Sequence, residues 1–125
     1  MKLDVVERTG AVEILMHGKL DFEHVDQFEK TFTDAGLGTV ETVIGMDLSN
    51  IEYIDSSGLG GMIKALNNAK SKGKSLYLYS ASPNIQSVFT MARLDKFFSF
   101  ISPSEFKSRF PTMDESDMMK GIDSL

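Results

Sequence analysis

No cysteine occurs among the 125 residues. Disulfides, thiolate zinc sites and thiol catalysis are therefore excluded together. No apolar run approaches the about 20 residues a membrane-spanning helix needs. The opening Met1-Lys2-Leu3-Asp4 places charge where a secretion signal would carry its apolar stretch. A soluble cytoplasmic protein is the simplest expectation. Histidine is scarce: His17 and His24 stand alone. No carboxylate cluster at metal-ligand spacing accompanies them, so both read as structural or surface residues and no metal or cofactor is expected. Positive charge is short as well. Lys and Arg total 13 against 18 Asp and Glu, a formal net charge of −5. Nucleic-acid binding, which needs a basic stripe to displace counterions, is thereby disfavoured. The chain has no internal repeat and no low-complexity block.

What remains is ordinary globular material, with 42% hydrophobic residues. The length suits one domain, placed at residues 1–111, followed by an acidic tail or short helix at 112–125. That tail carries Asp114, Glu115, Asp117 and Asp123 against Lys120, and three of the eight methionines, Met113, Met118 and Met119. It reads as a solvated end.

Short apolar runs alternate with segments of helical period. Residues 3–7 and 11–17 predict a hairpin across Arg8-Thr9-Gly10, with Val12, Ile14 and Met16 sharing one face. Gly18-Lys19-Leu20-Asp21 reads as a loop. Val25, Phe28, Phe32 and Ala35 predict a helix over 23–35, with Asp21 as N-cap and Gly36 as its stop. Residues 42–48 form an apolar strand, broken at Ser49-Asn50 before a short extended run at 51–54. Leu59, Met62, Ile63 and Leu66 predict a helix over 56–71, ended by Lys72-Gly73-Lys74. A strand at 76–79 follows. Ser82-Pro83 then opens a third helix with the stripe Ile85, Val88, Phe89 and Ala92. A last strand at 97–101 and a helix at 104–110 complete the order β-β-α-β-α-β-α-β-α. That order predicts an α/β fold with parallel neighbours after the opening hairpin.

The chemically informative stretch is Asp55-Ser56-Ser57-Gly58-Leu59-Gly60-Gly61, where an apolar strand feeds a polar elbow that opens a helix. Asp55, Ser56 and Ser57 are all good N-cap types, and one cap suffices, so at least one serine hydroxyl is spare. Each glycine in a helix costs about 1 kcal/mol against alanine. Three crowded into the first turns indicate that another backbone, or another protein, comes close. By itself such a segment reads first as a cap and turn. Other chemistries fit less well. Gly58-Leu59-Gly60-Gly61 lacks the Lys-Ser or Lys-Thr of a phosphate loop and any full Gly-x-Gly-x-x-Gly. Asp21 and His24 with a serine suggest a hydrolase triad, but no Gly-x-Ser-x-Gly elbow is present and Ser56 has no evident base. The chain reads as a non-enzyme.

Asp55-Ser56-Ser57-Gly58-Leu59-Gly60 resembles the signature of the STAS family, the bacterial anti-sigma factor antagonists. Further matches follow in order. Gly18-Lys19-Leu20-Asp21 resembles the family's Gly-x-Leu-Asp. The strand at 43–48 with the run at 51–54 resembles the approach to the signature. Lys72-Gly73-Lys74-Ser75-Leu76 is similar to the basic-glycine exit. Ser82-Pro83 with Val88-Phe89 resembles the third helix. Arg93-Leu94-Asp95-Lys96-Phe97-Phe98 stands where the family usually has Gly-Leu. The likeness spans residues 3–110. Gly61, Arg93 and the tail after Pro111 depart from the pattern.

The resemblance implies a STAS fold: a small mixed sheet of four to five strands with about four helices mainly on one face. It implies that Ser56 is phosphorylated by a partner anti-sigma factor, itself an ATP-dependent serine kinase. A metal-dependent Ser/Thr phosphatase would reverse the step. The unphosphorylated form would bind the kinase and free a sigma factor. Asp21 and Asp55 would line the acceptor site, with Ser57, Gly58, Leu59 and Gly60 on the partner-binding surface of a protein monomeric when free. The alternative that the family offers is a constitutive subunit of a larger assembly, either a stressosome-like scaffold or a lipid-transport complex. A phosphate on Ser56 would add a charge of about −1.5 to −2 beside Asp55. The helix dipole would return about 0.3–1 kcal/mol. The fold should then change little and the binding surface a great deal.

Overall fold

The computed structural model describes residues 1–113. Expectations for residues 114–125, including Met118 and Met119, fall outside the described residues. Five strands form one sheet in the order of the sequence: β1 (Lys2–Arg8), β2 (Ala11–Leu20), β3 (Val43–Ile54), β4 (Ser75–Tyr79) and β5 (Ser99–Phe100). β1 and β2 pair antiparallel through the tight turn at Thr9-Gly10, and every later pairing is parallel. Among the described residues, α1 (Val25–Thr31), α2 (Ser56–Ser71), α3 (Pro83–Met91) and α4 (Pro103–Arg109) connect or follow them. Among the described residues, no helix is long and apolar enough to cross a membrane.

Two expected boundaries move. The strand pair β2–β3 is longer than the hydrophobic pattern indicated. Gly18-Lys19-Leu20, expected as a loop, continues β2, and Ser49-Asn50, expected as a break, lies inside β3. The pairing absorbs them through register shifts between Leu15 and His17 and between Gly18 and Lys19. Gly18 takes φ +102°, a left-handed backbone open to glycine at little cost. Local polarity marked a turn, but cross-strand pairing with Asn50, Ile51, Tyr53 and Ile54 prevails.

The first helix also differs. It begins at Val25, with His24 rather than Asp21 in the cap position and no side-chain cap bond there. Asp21 instead closes the turn before it: its carbonyl accepts from the His24 and Val25 amides at 3.1 and 2.9 Å. At the other end the helix does not stop at Gly36 but widens into π-helical turns over Phe32–Leu37. Gly36 is buried there with Ile44 and Phe32 against its Cα face.

Period-two alternation sorts the strands into two faces. Val12, Ile14 and Met16 of β2, Ile44 and Met46 of β3 and Leu76 and Leu78 of β4 face α1, α2 and α3. Phe28, Met62, Leu66, Ile85 and Phe89 are the helical side of that core. Each such side chain contributes about 1.5–3 kcal/mol on full burial. The other face carries Ala11 and Tyr79, and among the described residues α4 covers it through Phe106. Phe106 stacks on Tyr79 with ring centroids 4.7 Å apart, and its ring lies over Gly45, where a methyl group would overlap it.

Candidate functional site at the Asp55-Ser56-Ser57-Gly58 elbow

β3 delivers the chain to the C-terminal edge of the sheet, and α2 leaves from there. Asp55 is the hinge between them and the cap of α2: its Oδ1 accepts from the Gly58 amide at 2.8 Å, and its carbonyl accepts from Leu59 at 2.9 Å. Its other oxygen, Oδ2, accepts from the Phe22 amide at 3.1 Å, and its own amide donates to the Leu20 carbonyl at 3.3 Å. One carboxylate therefore caps the helix and ties it to the loop that leaves β2.

Since Asp55 is the cap, neither serine is needed for it. Ser56 is the first residue of α2 and is exposed, whereas Ser57 is half-buried. Neither hydroxyl has a hydrogen-bond partner among the described residues. The Ser56 and Ser57 amides likewise find no acceptor there. An exposed hydroxyl thus sits beside two free donors at the positive end of a 16-residue helix.

The glycines divide by role. Gly58 is buried against the end of β2, where a methyl group would collide with the Leu20 carbonyl. Gly61 admits Val25 of α1 in the same way. Gly60 is exposed and has nothing within 4 Å of where a side chain would start. Close approach from inside the fold accounts for Gly58 and Gly61, and only Gly60 leaves room outside it. The buried line of α2 runs through Gly58, Gly61, Met62, Ala65, Leu66 and Ala69. Leu59 and Ile63, which the apolar stripe singled out, are half-buried beside that line.

Asp21 ends the β2 loop. Its Oδ1 meets His24 Nδ1 at 2.6 Å and accepts from the His24 amide at 3.2 Å. Burial works to raise the Asp21 carboxyl, but the hydrogen bond and charge of His24, with the amides of His24 and Glu23, outweigh it. The group is held below the usual carboxylate range. The acids expected at this site are joined through one peptide: Asp21 precedes Phe22, whose amide reaches Asp55. His24, grouped with Asp21 by the sequence as part of a candidate triad, is its hydrogen-bond partner. Two exposed aromatics were not foreseen. Phe22 projects into solvent with 76% of its surface exposed, and Tyr53, two residues before Asp55, is 51% exposed. The one sequence signal for Phe22 was its place ahead of the helix, off the Val25–Phe28–Phe32 stripe. Among the described residues, no group of three or more His, Asp or Glu could hold a metal ion.

Comparison with known proteins bears on the family and the fold. The STAS domain family model matches residues 2–110. A Thermotoga maritima protein described as an anti-sigma factor antagonist is 33% identical over 86 residues, covering 68% of this chain and 76% of its own. A crystal structure of a Thermotoga maritima protein described in the same way superposes with TM-score 0.73 at 25% identity, covering 86% of this chain and 92% of that one. The anti-sigma factor antagonist SpoIIAA in its unphosphorylated form superposes with TM-score 0.69 at 24% identity, over 86% of this chain and 93% of its own. The phosphorylated form of the Bacillus protein superposes with TM-score 0.63 at 24% identity, over 86% and 96%. Both SpoIIAA likenesses speak to the fold.

Proposed function

The chain belongs to the STAS domain family, and from that premise we propose that it is a cytoplasmic anti-sigma factor antagonist switched by phosphorylation of Ser56. In its unphosphorylated form it binds an anti-sigma factor that is an ATP-dependent serine kinase, and so releases the sigma factor. A metal-dependent phosphatase restores the binding form.

The observation that carries this reading is the Ser56 hydroxyl: exposed, unpartnered, and first in a helix already capped by its neighbour. In the transfer, Ser56 Oγ forms a bond to the γ-phosphorus of ATP, the bridging oxygen bond to ADP breaks, and ADP leaves. The hydroxyl proton goes to a base on the kinase, while Asp55 accepts from the Gly58 and Phe22 amides. Asp55 and Asp21 shape the acceptor site, Ser57 flanks it, and Leu59 and Gly60 lie on the approach. Gly58 acts from beneath, seating α2 against β2.

The modified serine gains the two free amides and the helix dipole, about 0.3–1 kcal/mol. It also brings about −1.5 to −2 charge next to Asp55, so the net effect on folding is small. A partner seated over Ser56 would have to bury that dianion, at a cost of about 3–4 kcal/mol, or roughly 10²–10³ in affinity. The test is intact mass and site mapping on protein from its own cells under phosphatase inhibition. One phosphate on Ser56, absent from Ser56→Ala, is the expected result. Ser56 unmodified under every growth condition would overturn the switch and leave a constitutive assembly subunit.

A further inference from the structure

The surface around Ser56 holds more than the acceptor hydroxyl. Phe22 stands in the turn that leaves β2, 76% exposed. Exposure alone says little: Val40 at 93% and Met91 at 86% are barer still, and scattered apolar side chains are ordinary. What separates Phe22 from them is how its backbone is held. Its amide donates to Asp55 Oδ2 at 3.1 Å, and the residue before it closes the turn onto His24 and Val25. The ring is therefore presented from a fixed base, joined to the carboxylate that caps the acceptor helix. Val40 lies before the first residue of β3 and Met91 ends α3, so both sit at the opposite end of the parallel sheet.

Charge around Phe22 is one-sided. Asp21, Glu23 and Asp26 flank it in sequence and Asp55 holds its amide, against Lys19 as the nearest cation in sequence. All are exposed or half-buried. An exposed aromatic on a hydrogen-bonded turn, within an acidic rim, matches a partner surface with an apolar pocket edged by Lys and Arg. Aromatic anchors in desolvated pockets dominate such interfaces, and a pre-ordered anchor loses little entropy on docking.

We propose that Phe22 is the docking anchor for the kinase that modifies Ser56, inserting into an apolar pocket with a basic rim. This rests on the reading of Ser56 given above. Phe22 takes no part in the phosphoryl transfer. It raises the occupancy of the complex in which transfer occurs, so its loss shows in KM and not in kcat.

The experiment is Ser56 phosphorylation with labelled ATP in extract of the source cells, followed by site mapping. Rates are measured against concentration for wild type, Phe22→Ala, Phe22→Trp and Val40→Ala. Phe22→Ala should raise KM about tenfold or more with kcat within twofold, and added salt should raise the wild-type KM as the rim charges are screened. Phe22→Trp should recover most of the loss, and Val40→Ala should match wild type. Thermal unfolding of Phe22→Ala should coincide with wild type, separating docking from folding. Equal KM for wild type and Phe22→Ala, with Ser56 labelled in both, would overturn the anchor and leave the switch standing. No label on wild-type Ser56 would overturn the switch itself, and the anchor with it.

Discussion

Glycines two residues apart in α2 face opposite consequences. Gly58 lies under the end of β2, so a methyl group there must push the Leu20 carbonyl away, and backbone yields poorly. Gly58→Ala should cost about 1–3 kcal/mol, as overpacking does. Gly60 faces open space, where alanine removes the entropy penalty of glycine in a helix. Gly60→Ala should stabilise by about 0.5–1 kcal/mol. Urea unfolding of the two variants reads both signs. A matching loss at Gly60 would mean that the helix start is constrained from a side now open. Asp55 shows a different economy at this scale, because its two oxygens serve two elements, the Gly58 amide of α2 and the Phe22 amide of the β2 loop.

Helices α2 and α3 end in the same way on different residues. In α2, Gly73 has φ +70°, the Lys74 amide reaches back to Ala69 at 2.9 Å and Gly73 reaches Lys70 at 3.0 Å. In α3, Leu94 reaches Phe89 at 2.8 Å and Arg93 reaches Thr90 at 3.0 Å, with Arg93 at φ +61°. Both are Schellman closures, which place one residue in the left-handed region. Arginine there carries a Cβ penalty of about 1–2 kcal/mol that glycine escapes, partly offset by the freedom glycine adds to the unfolded chain. Arg93→Gly should therefore stabilise the protein by about 0.5–1 kcal/mol, seen as a higher urea midpoint with unchanged slope. A lower midpoint would show that the arginine side chain contributes more than its backbone strain costs. The departure noted in the sequence, Arg93 ahead of Leu94, thus falls where a glycine would be most at ease.

Across the whole molecule the sheet has two unequal covers. Three helices and the main core occupy one face, and α4 closes the other through Phe106. Beneath α4 lies a buried polar set. Arg8 Nε donates to Glu13 at 2.9 Å, Tyr79 donates its hydroxyl to the same carboxylate, and Arg8 also reaches the Phe110 carbonyl at 2.9 Å. Burial, then the hydrogen bond and charge of Glu13, push the Tyr79 hydroxyl far above the ordinary tyrosine value of 10.0. The folded pKa is raised, so the unfolded chain releases this proton first as pH rises. The stability linked to Tyr79 is complete below pH 10.0 and declines above it. Tyr79→Phe should be less stable at neutral pH, with one donor fewer to Glu13, yet lose less per pH unit above 10.0. Urea midpoints measured across that range for both proteins check it, and parallel curves would sink it.

Much of this molecule was legible in one dimension because it depends on local rules. Apolar period identified the hairpin, α2 and α3. Ser82-Pro83 opened α3 as cap and first-turn residues do, and the Asp-Ser-Ser-Gly elbow lay where a strand hands over to a helix. Those signals are short-range, so the sequence by itself determined the element order, the parallel sheet and the place of Ser56. Tertiary structure decided whatever depends on a distant neighbour. Pairing with β3 drew Gly18-Lys19-Leu20 into β2. Crowding against Leu20 assigned Gly58 to the interior. A helix from the far end of the chain turned the Glu13 face of β2 into a second core. Periodicity names the face a residue shares, but only contact across the chain tells what covers that face.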